Sequence, residues 1–444
     1  MADRSLWDGD VPWVTPKDMK RFTISAASMN VSAKALQATS LRLIPAGSVL
    51  LVVRGMILAR RVPVARTDQP VTINQDMKAI VPATGIDAGY LAYRLDAAQA
   101  AFAPMIDESG HGTKRLPTER WKDLQLAAPP LDEQRLIVRF LDWYGGQTSK
   151  LIRAKMKFIA LLKEQKRAII HRAVTRGLDP GVKLKPSGVA WLGDVPETWE
   201  ILPLKRITDS RCDGPFGSGL KSSHYTSFGV LVIRLQNIGM GVFKRSEPAY
   251  ISPEHYQSLG EHSVFGGDVL IAGLGDERHP CGRACVAPAD LSDAMVKADC
   301  FRFRLKLDRA DSNFIAASLS ATAQASSAIL SAGATRQRVN LQSTADRSLA
   351  LPSLNEQGKI VRHIVAVDEE FRQLLDFATR EIALLEEFHT RLIADVVTGK
   401  LDIRAAALNL KDELEVAPED AEMLADVEDS DDEVLDSEET EAAA

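Results

Sequence analysis

Features that mark membrane, secreted and disulfide-linked proteins are absent from this sequence. No stretch approaches the roughly 20 consecutive apolar residues that a membrane-spanning helix needs, and residues 1–20 lack the charged start and apolar core of a secretory signal. Cysteine is scarce: all four cysteines lie in the second half of the chain, which is too few and too uneven for a disulfide framework. A length of 444 residues is enough for two or three ordinary domains. We therefore expect a soluble, cytoplasmic, multidomain protein.

Motifs that hold nucleotides or transfer methyl groups are absent as well. The chain has no GxxxxGK[ST] phosphate-binding loop, and no glycine-rich S-adenosylmethionine loop follows a strand. The segment DGPFG at 213–217 matches the Asp/Asn-Pro-Pro-aromatic loop of amino-methyltransferases only in part, because Gly214 replaces the first proline. We interpret Gly214, Gly217 and Gly219 as a loop that lets the backbone approach a ligand closely. The sequence thus predicts no catalytic residue and no bound cofactor.

A zinc site at His279, Cys281 and Cys285 is the alternative to a set of buried thiols. A structural zinc site needs a second Cys or His pair at finger spacing, and this sequence has none. We therefore expect reduced, partly buried cysteines and no metal.

The charge of the chain is divided unevenly along its length. Residues 411–444 carry 16 Asp or Glu against the single Lys411, and without them the net charge changes from −6 to +9. A basic body is compatible with a polyanionic partner, although such an excess is also common on a solvated surface. The acidic end has almost no large apolar residues, so we expect it to be disordered and without a specific role. Screening of the basic surface from unsuitable polyanions is the alternative.

Two similar segments lie 223 positions apart, PPLDEQRLIV at 129–138 and PSLNEQGKIV at 352–361. The same offset aligns the identical segments IALL at 159–162 and 382–385, and no gap is needed over fifty residues. A constant register over that length predicts an uninterrupted element in each copy.

The repeated segments have the period of a coiled-coil seam, with apolar residues at spacings of seven, three and seven. A helix over 147–176 is about 45 Å long at 1.5 Å per residue. Because one such helix cannot bury its seam alone, we expect the two copies to pack antiparallel; buried helices of a single globular domain are the alternative. Gly145 and Gly146 leave open whether the first copy is one helix or two. The predicted seam residues are Ile152, Ile159, Leu162, Ile169, Leu375, Ile382, Leu385 and Leu392.

The segments before and between the repeats have a different character. Residues 199–350 alternate short β-rich runs with glycine-rich turns and contain one Ala/Ser-rich helix near 314–330; the first segment has similar runs and a helix around 90–105. Residues 180–199, rich in Pro and Gly, form an ordered linker. The sequence predicts the α+β class: two globular α/β domains separated by two long helices that pack as an antiparallel coiled coil, with a pseudo-twofold internal repeat.

Trp199 opens the second globular segment, and its counterpart in the first copy would lie 24 residues before Met1. We therefore expect the first globular domain to be N-terminally short and to lack an opening strand that the second domain has.

The whole arrangement resembles the specificity subunit of type I restriction-modification enzymes. The resemblance is carried by PPLDEQ and PSLNEQ at the starts of the helices, by GLDPGVKLKPSGVAWLGDVPETW between them and by GDVPWVTPKDM at 9–19. It covers nearly all of residues 8–405. It implies target-recognition domains over 1–130 and 199–351, helical spacers over 131–179 and 352–405, a linker over 180–198 and a disordered acidic tail over 406–444.

The resemblance also implies a function and partners. Such a chain recognises a bipartite target in double-stranded DNA, one domain for each half-site, and its helices dock two methyltransferase (modification) subunits, which restriction and translocase subunits then join. S-adenosylmethionine, ATP and Mg are expected on those subunits, and the chain itself is not an enzyme. Two target-recognition domains held at a fixed distance suit a target whose two half-sites are separated by a fixed gap.

A matched polar loop ends each globular segment, SGHGTKRL at 109–116 and SAGATRQRV at 331–339. Small residues followed by Thr and by Lys or Arg suit contacts with phosphates and base edges, although a solvated basic turn is the alternative for any one of them. The primary candidates for DNA contact are Thr113, Lys114, Arg115, Thr335, Arg336 and Arg338. The secondary candidates are Lys17, Lys20, Arg54, Lys221, Ser222, Ser223, His224, Arg234 and Asn237.

Three other functions stay open. The chain is equally compatible with a specificity subunit that serves a type II fused nuclease-methylase. A coiled-coil adaptor that does not bind DNA is a rival of another class. An enzyme within residues 199–350 is the third, and the missing cofactor loops argue against it.

Overall fold

The computed structural model describes residues 4–108, 112–276, 278–330 and 337–410. They form two compact units. The first unit comprises residues up to 157 together with those from 378 onward, and the second comprises residues 158–377. Two long helices contribute to both units.

The described part of the first unit contains nine strands and five α-helices before the second unit begins. The strands are β1 (Trp7–Val14), β2 (Thr23–Ile24), β3 (Asn30–Val31), β4 (Val49–Val52), β5 (Val64–Thr67), β6 (Thr72–Ile73), β7 (Met77–Ile80), β8 (Asp107–Glu108) and β9 (Lys114–Arg115). The helices are α1 (Ala33–Ala38), α2 (Ala88–Asp96), α3 (Gln99–Phe102), α4 (Thr118–Trp121) and the first long helix, α5 (Leu131–Arg176).

Two sheets and a short ribbon organise the first unit. The strand orders are β3-β1-β6, β2-β5-β4-β7 and β8-β9. Strand β4 reads Val-Leu-Leu-Val and is buried on both faces, as expected of a central strand with partners on either side. Phe102, Leu116 and Trp121 pack against one face of it and close the core.

Where the structure describes it, the second unit has fifteen strands and five α-helices, and a last α-helix follows it in the chain. The strands are β10 (Leu184–Pro186), β11 (Asp194–Pro196), β12 (Glu200–Pro203), β13 (Thr208–Cys212), β14 (Tyr225–Thr226), β15 (Val230–Ile233), β16 (Tyr250–Ile251), β17 (Ser263–Val264), β18 (Val269–Ala272), β19 (Leu274–Gly275), β20 (Ala284–Val286), β21 (Ala294–Val296), β22 (Cys300–Leu305), β23 (Gln337–Arg338) and β24 (Ser348–Leu351). The helices are α6 (Pro253–Gln257), α7 (Ser312–Ala321), α8 (Ala323–Leu330), α9 (Leu341–Asp346), the second long helix α10 (Leu354–Val397) and α11 (Arg404–Leu408).

The central sheet of the second unit repeats part of the first. β18 lies between β20 and β22, as β4 lies between β5 and β7. A second sheet, β14-β16-β15-β21-β17, extends the unit. The linker is ordered, as predicted: β10 pairs with β11, and β12 pairs antiparallel with β24. Residues 125–128, which correspond to β24 at the sequence offset, form no strand.

Each long helix is continuous, which resolves the alternative left by the glycines. α5 runs through Gly145 and Gly146 without a break for 46 residues, and α10 has 44 residues. Gly145 allows a close approach, because a Cβ there would lie 3.1 Å from Nε2 of His389. The glycine therefore serves helix packing and not a helix end.

Within each unit the long helices run antiparallel to each other. In the first unit Lys155 pairs with Glu381 at 2.7 Å. In the same unit Gly145 lies close to His389, so partner numbers fall on α10 as they rise on α5. In the second unit Lys166 pairs with Asp368 at 3.0 Å and Gly177 lies close to Glu356, which gives the same direction. Leu162 and Leu392 are buried, and the other six predicted seam residues are half-buried. In the second unit Leu162 packs in a small cluster with residues of α10.

A buried glutamine ties the first globular region to α5. The side-chain oxygen of Gln134 accepts a hydrogen bond from the backbone N–H of Asp87 at 2.8 Å, and its amide donates to the carbonyls of Gly85 and Pro129. Asp87 in turn caps the N-terminus of α2. The start of a globular-domain helix is thereby fixed to the start of a long helix.

Gln357 makes the same connection in the second unit. Its oxygen accepts from the backbone N–H of Asp311 at 2.8 Å, and its amide donates to the carbonyls of Arg309 and Pro352. Asp311 caps α7. The glutamine that both repeated segments share thus has a structural reason: all three partners of each glutamine are backbone groups that would otherwise be left unsatisfied.

The end of the described chain is ordered beyond the predicted spacer. α11 covers Arg404–Leu408, where Ile403 and Ala407 are buried beside α2 and α5 in the first unit. Arg139 donates to the carbonyl of Leu410 at 2.9 Å. The tail predicted to be disordered from residue 406 is therefore structured up to 410, because its first apolar residues have a surface to pack on. Residues 411–444 lie outside the described ranges.

The fold agrees with the sequence at the level of class. It is a mixed α/β structure with two long helices. The two predicted globular helices are each divided, into α2 and α3 in the first unit and into α7 and α8 in the second. Within the described ranges no helix combines the length and apolarity that crossing a bilayer requires.

Candidate nucleic-acid interface

The matched polar loops are built on the same backbone framework in both units. In the first unit the carbonyl of Val53 accepts from the N–H of Leu116 at 2.8 Å, and the N–H of Gly55 donates to the carbonyl of Lys114 at 3.0 Å. These bonds place Arg54 directly opposite Arg115 in an antiparallel bridge.

The second unit repeats these bonds. The carbonyl of Gly273 accepts from the N–H of Val339 at 2.8 Å. Strand β19 pairs with β23 so that Leu274 lies opposite Arg338 and Gly275 opposite Gln337. Arg115 and Arg338, which the sequence offset aligns, therefore occupy the same position at the end of the same framework.

The cations of the first unit are only partly neutralised. Lys114 pairs with Glu108, its neighbour across the β8-β9 ribbon. Arg115 is 3.8 Å from Asp107, but Asp107 lies closer to Arg120, at 2.6 Å. Arg54 is exposed. An exposed guanidinium opposite another one is unfavourable in a sheet, so the pair favours an anionic ligand over a purely structural role.

Arg338 is held more firmly. Its Nε and Nη2 both donate to Oδ1 of Asp299, at 3.1 and 2.9 Å, while more than half of the Arg338 side chain stays exposed. Asp299 has a φ of +63°, a left-handed conformation that Asp tolerates better than most residues. Its backbone N–H donates to Oδ1 of Asp213 at 2.9 Å.

Asp213 connects this arrangement to the glycine loop singled out in the sequence. Burial, with the negative charge of Asp299 as a further cause, raises the pKa of Asp213 to about 6. The N–H of Gly214 also donates to its carboxylate. A Cβ on Gly214 would overlap the backbone of Lys297. The close approach predicted for Gly214 is therefore made to the protein's own backbone.

A buried arginine supports β19 from behind. Arg283 donates to the carbonyls of Leu274 and His279, and also to those of Leu235 and Ile238. Burial lowers the pKa of Arg283, yet its carbonyl partners satisfy the guanidinium without a carboxylate. Arg283 therefore fixes the strand on which Arg338 pairs and takes no part in ligand contact.

The remaining primary candidates differ in position. Thr113 is half-buried and directly precedes β9. Thr335 and Arg336 lie within residues 331–336, outside the described ranges.

The secondary candidates of the first unit lie on the surface. Lys17 belongs to the short 3-10 turn Pro16–Asp18 that follows β1. Lys17 and Lys20 are both exposed.

The secondary candidates at 221–224 form one rigid turn. Lys221, Ser222 and Ser223 are exposed around the 3-10 turn Ser222–His224. Nδ1 of His224 accepts from the N–H of Lys221 at 3.2 Å, and the His224 ring packs 4.1 Å from that of His255.

Arg234 and Asn237 serve the protein's own backbone. Asn237 is 3% exposed. Its oxygen accepts from the N–H of Arg234, and its amide donates to the carbonyls of Lys244 and Ser246. Arg234 donates to the carbonyl of Glu247 at 2.6 Å. The expectation that Asn237 contacts DNA is corrected here, because its hydrogen-bonding groups are used to shape the 234–247 turn.

Sequence reasoning missed the acidic partners of the arginines. Asp107 is two residues before the first polar loop and Asp299 is 39 residues before Arg338. Nothing in the sequence distinguishes Asp299 from other surface carboxylates, and its importance depends on a left-handed backbone that only the structure reveals.

Cys281, Cys285 and Cys300 are buried free thiols, and Cys212 is half-buried. Burial raises the pKa of Cys285 to about 12 and raises that of Cys300. Among the described residues no group of three His, Cys, Asp or Glu side chains is placed to hold a metal ion.

The long helices present a second candidate surface, formed by exposed apolar residues outside the seam. In the first unit these are Leu151, Leu384 and Phe388. In the second unit they are Phe158, Leu161, Val365, Leu374 and Phe377. Exposed apolar side chains that the helix pair leaves uncovered make these helices candidates for contact with protein partners.

Comparison with known proteins finds a family that the first part of the chain resembles. Residues 2–159 match the model of the type I restriction modification DNA specificity domain. The similarity to the type I specificity family is therefore shown for residues 2–159. The resemblance predicted from the repeats is thereby confirmed.

Two relatives show how far the similarity extends. The EcoR124I/EcoR124II specificity subunit of Escherichia coli, a type I restriction enzyme subunit, is 29% identical over 161 residues, which cover 36% of this chain and 40% of the relative. The type I MjaIX specificity subunit of Methanocaldococcus jannaschii is 32% identical over 145 residues, which cover 32% of each protein. This chain thus spans less than half the length of these two relatives.

A solved structure extends the similarity of fold to most of the chain. It comes from a study of complex assembly and conformational transition in a type I restriction-modification system, and the alignment covers 88% of this chain and 91% of that one. The TM-score is 0.62 at 15% identity, so the comparison demonstrates a shared fold.

Proposed function

We propose that this chain is the non-catalytic DNA specificity subunit of a type I restriction-modification complex. Each unit reads one half-site of a bipartite target in double-stranded DNA. The single observation that carries the proposal is the equivalent placement of Arg115 and Arg338 at the end of the same backbone framework in two otherwise diverged units. Arginine is the residue that most often reads guanine edges and also binds phosphates.

The long helices are proposed to act as the spacer and as the docking surface. Packed as an antiparallel coiled coil, they fix the distance between the two target-recognition domains; the antiparallel ion pairs inside each unit support this. The exposed apolar residues on α5 and α10 are proposed to dock two methyltransferase subunits, which restriction and translocase subunits join. S-adenosylmethionine, ATP and Mg then belong to those partners.

The proposal is tested with the full chain copurified with the methyltransferase subunit encoded beside it. Mapping of methyladenine across the host genome is expected to show a split, asymmetric motif that is lost when this chain is deleted. Arg115→Ala and Arg338→Ala are expected to degrade different halves of that motif. Failure of the complex to retain a long random duplex at low salt contradicts the proposal and favours an adaptor.

Docking has its own readout. Leu384→Ser with Phe388→Ser is expected to reduce copurification of the methyltransferase subunit at an unchanged unfolding midpoint. Phe228→Ser, at a side chain of the second unit that is 79% exposed, is the matched control and leaves copurification unchanged. Equal recovery with both variants removes this surface from the proposal.

A further inference from the structure

A short turn beside the arginine pair of the first unit presents apolar side chains to solvent. The turn is the 3-10 helix Met56–Ala59, which begins directly after Gly55. Met56 is 64% exposed and Ile57 is 38% exposed. Leu58, by contrast, is buried in the core of the unit and anchors the turn. Because of this anchor, the exposed pair has a fixed place on the surface.

The turn lies against the strand that carries the candidate DNA contacts. It packs on β9, which contains Lys114 and Arg115. Gly55, at the start of the turn, donates to the carbonyl of Lys114 and has a φ of +138°, a conformation that glycine adopts readily and other residues rarely do. Arg54 precedes the turn. Met56 and Ile57 are therefore presented next to two exposed guanidinium groups.

Cations continue on the other side of the turn. The N–H groups of Arg60 and Arg61 both donate to the carbonyl of Ile57, which closes the turn. Arg61 also pairs with Asp96. An apolar pair bordered by arginines on both sides in sequence suits a polyanion that also presents an apolar group.

Duplex DNA offers the complementary chemistry. Its phosphates attract the arginines, and in the major groove the 5-methyl group of thymine is the apolar feature of the base edges.

The second unit has different chemistry at the equivalent place. After Gly275, the counterpart of Gly55, come Asp276 and the exposed Arg278 and His279. The N–H groups of Arg278 and His279 donate to Asp276. The framework is shared while the presented side chains change from apolar to polar and charged. This is the pattern expected of a segment that determines which bases each unit reads.

We infer that Met56 and Ile57 are specificity-determining residues of the first unit, which recognise the 5-methyl group of thymine in its half-site. The inference rests on the proposed function and deepens it. Burial of one methyl group is worth about 0.8 kcal/mol, which is about fourfold in affinity. The arginines attract the phosphates of any duplex, in addition to the half-site role proposed above for Arg115, and the apolar pair gives the preference for thymine.

The test uses the full chain copurified with its methyltransferase subunit, and a duplex selected by that complex from a random library. Each thymine of the duplex is replaced in turn by deoxyuridine, which lacks only the 5-methyl group. We expect one or two replacements to weaken binding of the unaltered complex about fourfold each. With Met56→Ser and Ile57→Ser together, the same replacements are expected to have no effect.

Two controls separate this role from folding and from general affinity. Val81→Ser, at another exposed apolar residue of the first unit, is expected to keep the sensitivity to deoxyuridine. Arg115→Ala is expected to weaken binding to both duplexes equally and to keep their ratio. Met56→Ser alone, at the more exposed residue, provides a variant that folds if the double variant does not.

The outcomes distinguish the inference from the proposed function. If the complex selects a sequence and the double variant remains as sensitive to deoxyuridine as the unaltered complex, the inference is wrong and the proposed function stands. A selected target in which no thymine can be replaced with a loss of affinity has the same consequence. If the complex selects no sequence at all, both are wrong.

Discussion

Arg54 lies directly opposite Arg115 across an antiparallel bridge, with both side chains exposed. Like charges in this position repel each other unless a ligand neutralises them. We predict that Arg54→Ala and Arg115→Ala each weaken binding to random duplex DNA. Each is expected to reduce the slope of log K against log salt by about 0.9, because one phosphate contact releases about that many counterions. Titration of binding at several salt concentrations measures the slope.

The matched control for this prediction is Arg167→Ala. Arg167 is an exposed arginine of α5 whose Nε donates only within its own helix, to the carbonyl of Lys163. It removes the same charge at a site outside the polar loops. An equal change of slope in all three variants would mean that the arginine pair acts only through net charge.

Substitutions at Arg338 and Asp299 are expected to reduce discrimination between the selected and the random duplex while the positive charge at 338 is kept. Arg338→Lys keeps the cation but cannot reproduce the two N–H donors of the guanidinium. The ratio of affinities for the selected and the random duplex is expected to fall about tenfold, because a good two-donor contact contributes roughly 1–3 kcal/mol. Asp299→Asn, which tolerates the left-handed backbone, is expected to lower the same ratio without weakening binding to random duplex. An unchanged ratio for both variants rules out a base contact by Arg338.

The raised pKa of Asp213 predicts that the stability of the protein depends on pH. Its pKa in the folded chain is about 6, above the ordinary value of 3.8, with burial as the main cause. The unfolded chain therefore releases this proton more easily, and the stabilising effect of the protonated form is lost as pH rises from about 4 to about 6. Asp213→Asn is expected to unfold at the same denaturant concentration as the wild type near pH 3.5 and at a higher one at pH 7.5. A difference that is constant with pH would contradict the assignment.

Gln134 and Gln357 predict equivalent losses of stability. Replacement of either by Ala leaves one backbone N–H and two carbonyls without their partner, and we expect a loss of about 3 kcal/mol, since each buried unsatisfied group costs roughly 1–3 kcal/mol. Urea unfolding measures the effect, with Gln165→Ala on the exposed face of α5 as the control. If Gln357→Ala behaves like the control, the buried amide of the second unit does not stabilise the junction.

The proposed spacer predicts that the gap in the target follows the length of the helices. Insertion of one heptad into both long helices, after Ala160 and after Leu374, keeps the seam in register. It lengthens each helix by about 10 Å at 1.5 Å per residue, which corresponds to about three base pairs. Mapping of methyladenine is expected to show the same two half-sites with a longer gap. An unchanged gap would contradict the role of the helices as a spacer.

The elements that could be predicted from the sequence are those with a strong local period. The heptads of α5 and α10 indicated two long helices, and apolar runs such as Val269–Ala272 indicated buried strands. The division of the helix expected over 90–105 was not predictable, since Ala97 and Ala98 favour a helix and only packing ends it there. The continuity of α5 through Gly145 and Gly146 was not predictable either, because the close approach that favours glycine at 145 is to His389, which is distant in sequence.

The basic residues of the candidate site could be predicted from the sequence, but the contacts that they make could not. The internal repeat pointed to Arg115 and Arg338 because they recur at the same offset. Their opposing strands come from residues some 60 positions earlier in the chain, so the Arg54 bridge and the Asp299 contact depend on tertiary structure. Asn237 has the composition of a base-reading residue, but burial assigns it to a turn.

The two buried glutamines hold only main-chain atoms, and main-chain atoms are the same whatever side chains surround them. These bonds between each globular domain and its long helix therefore do not depend on the side chains at the surface of that domain. Substitutions on the surface of a globular domain can change the half-site that it recognises without weakening the glutamine bonds that attach it to the long helix. A globular domain grafted from another chain keeps these bonds if it supplies a helix start and a proline turn of the right shape.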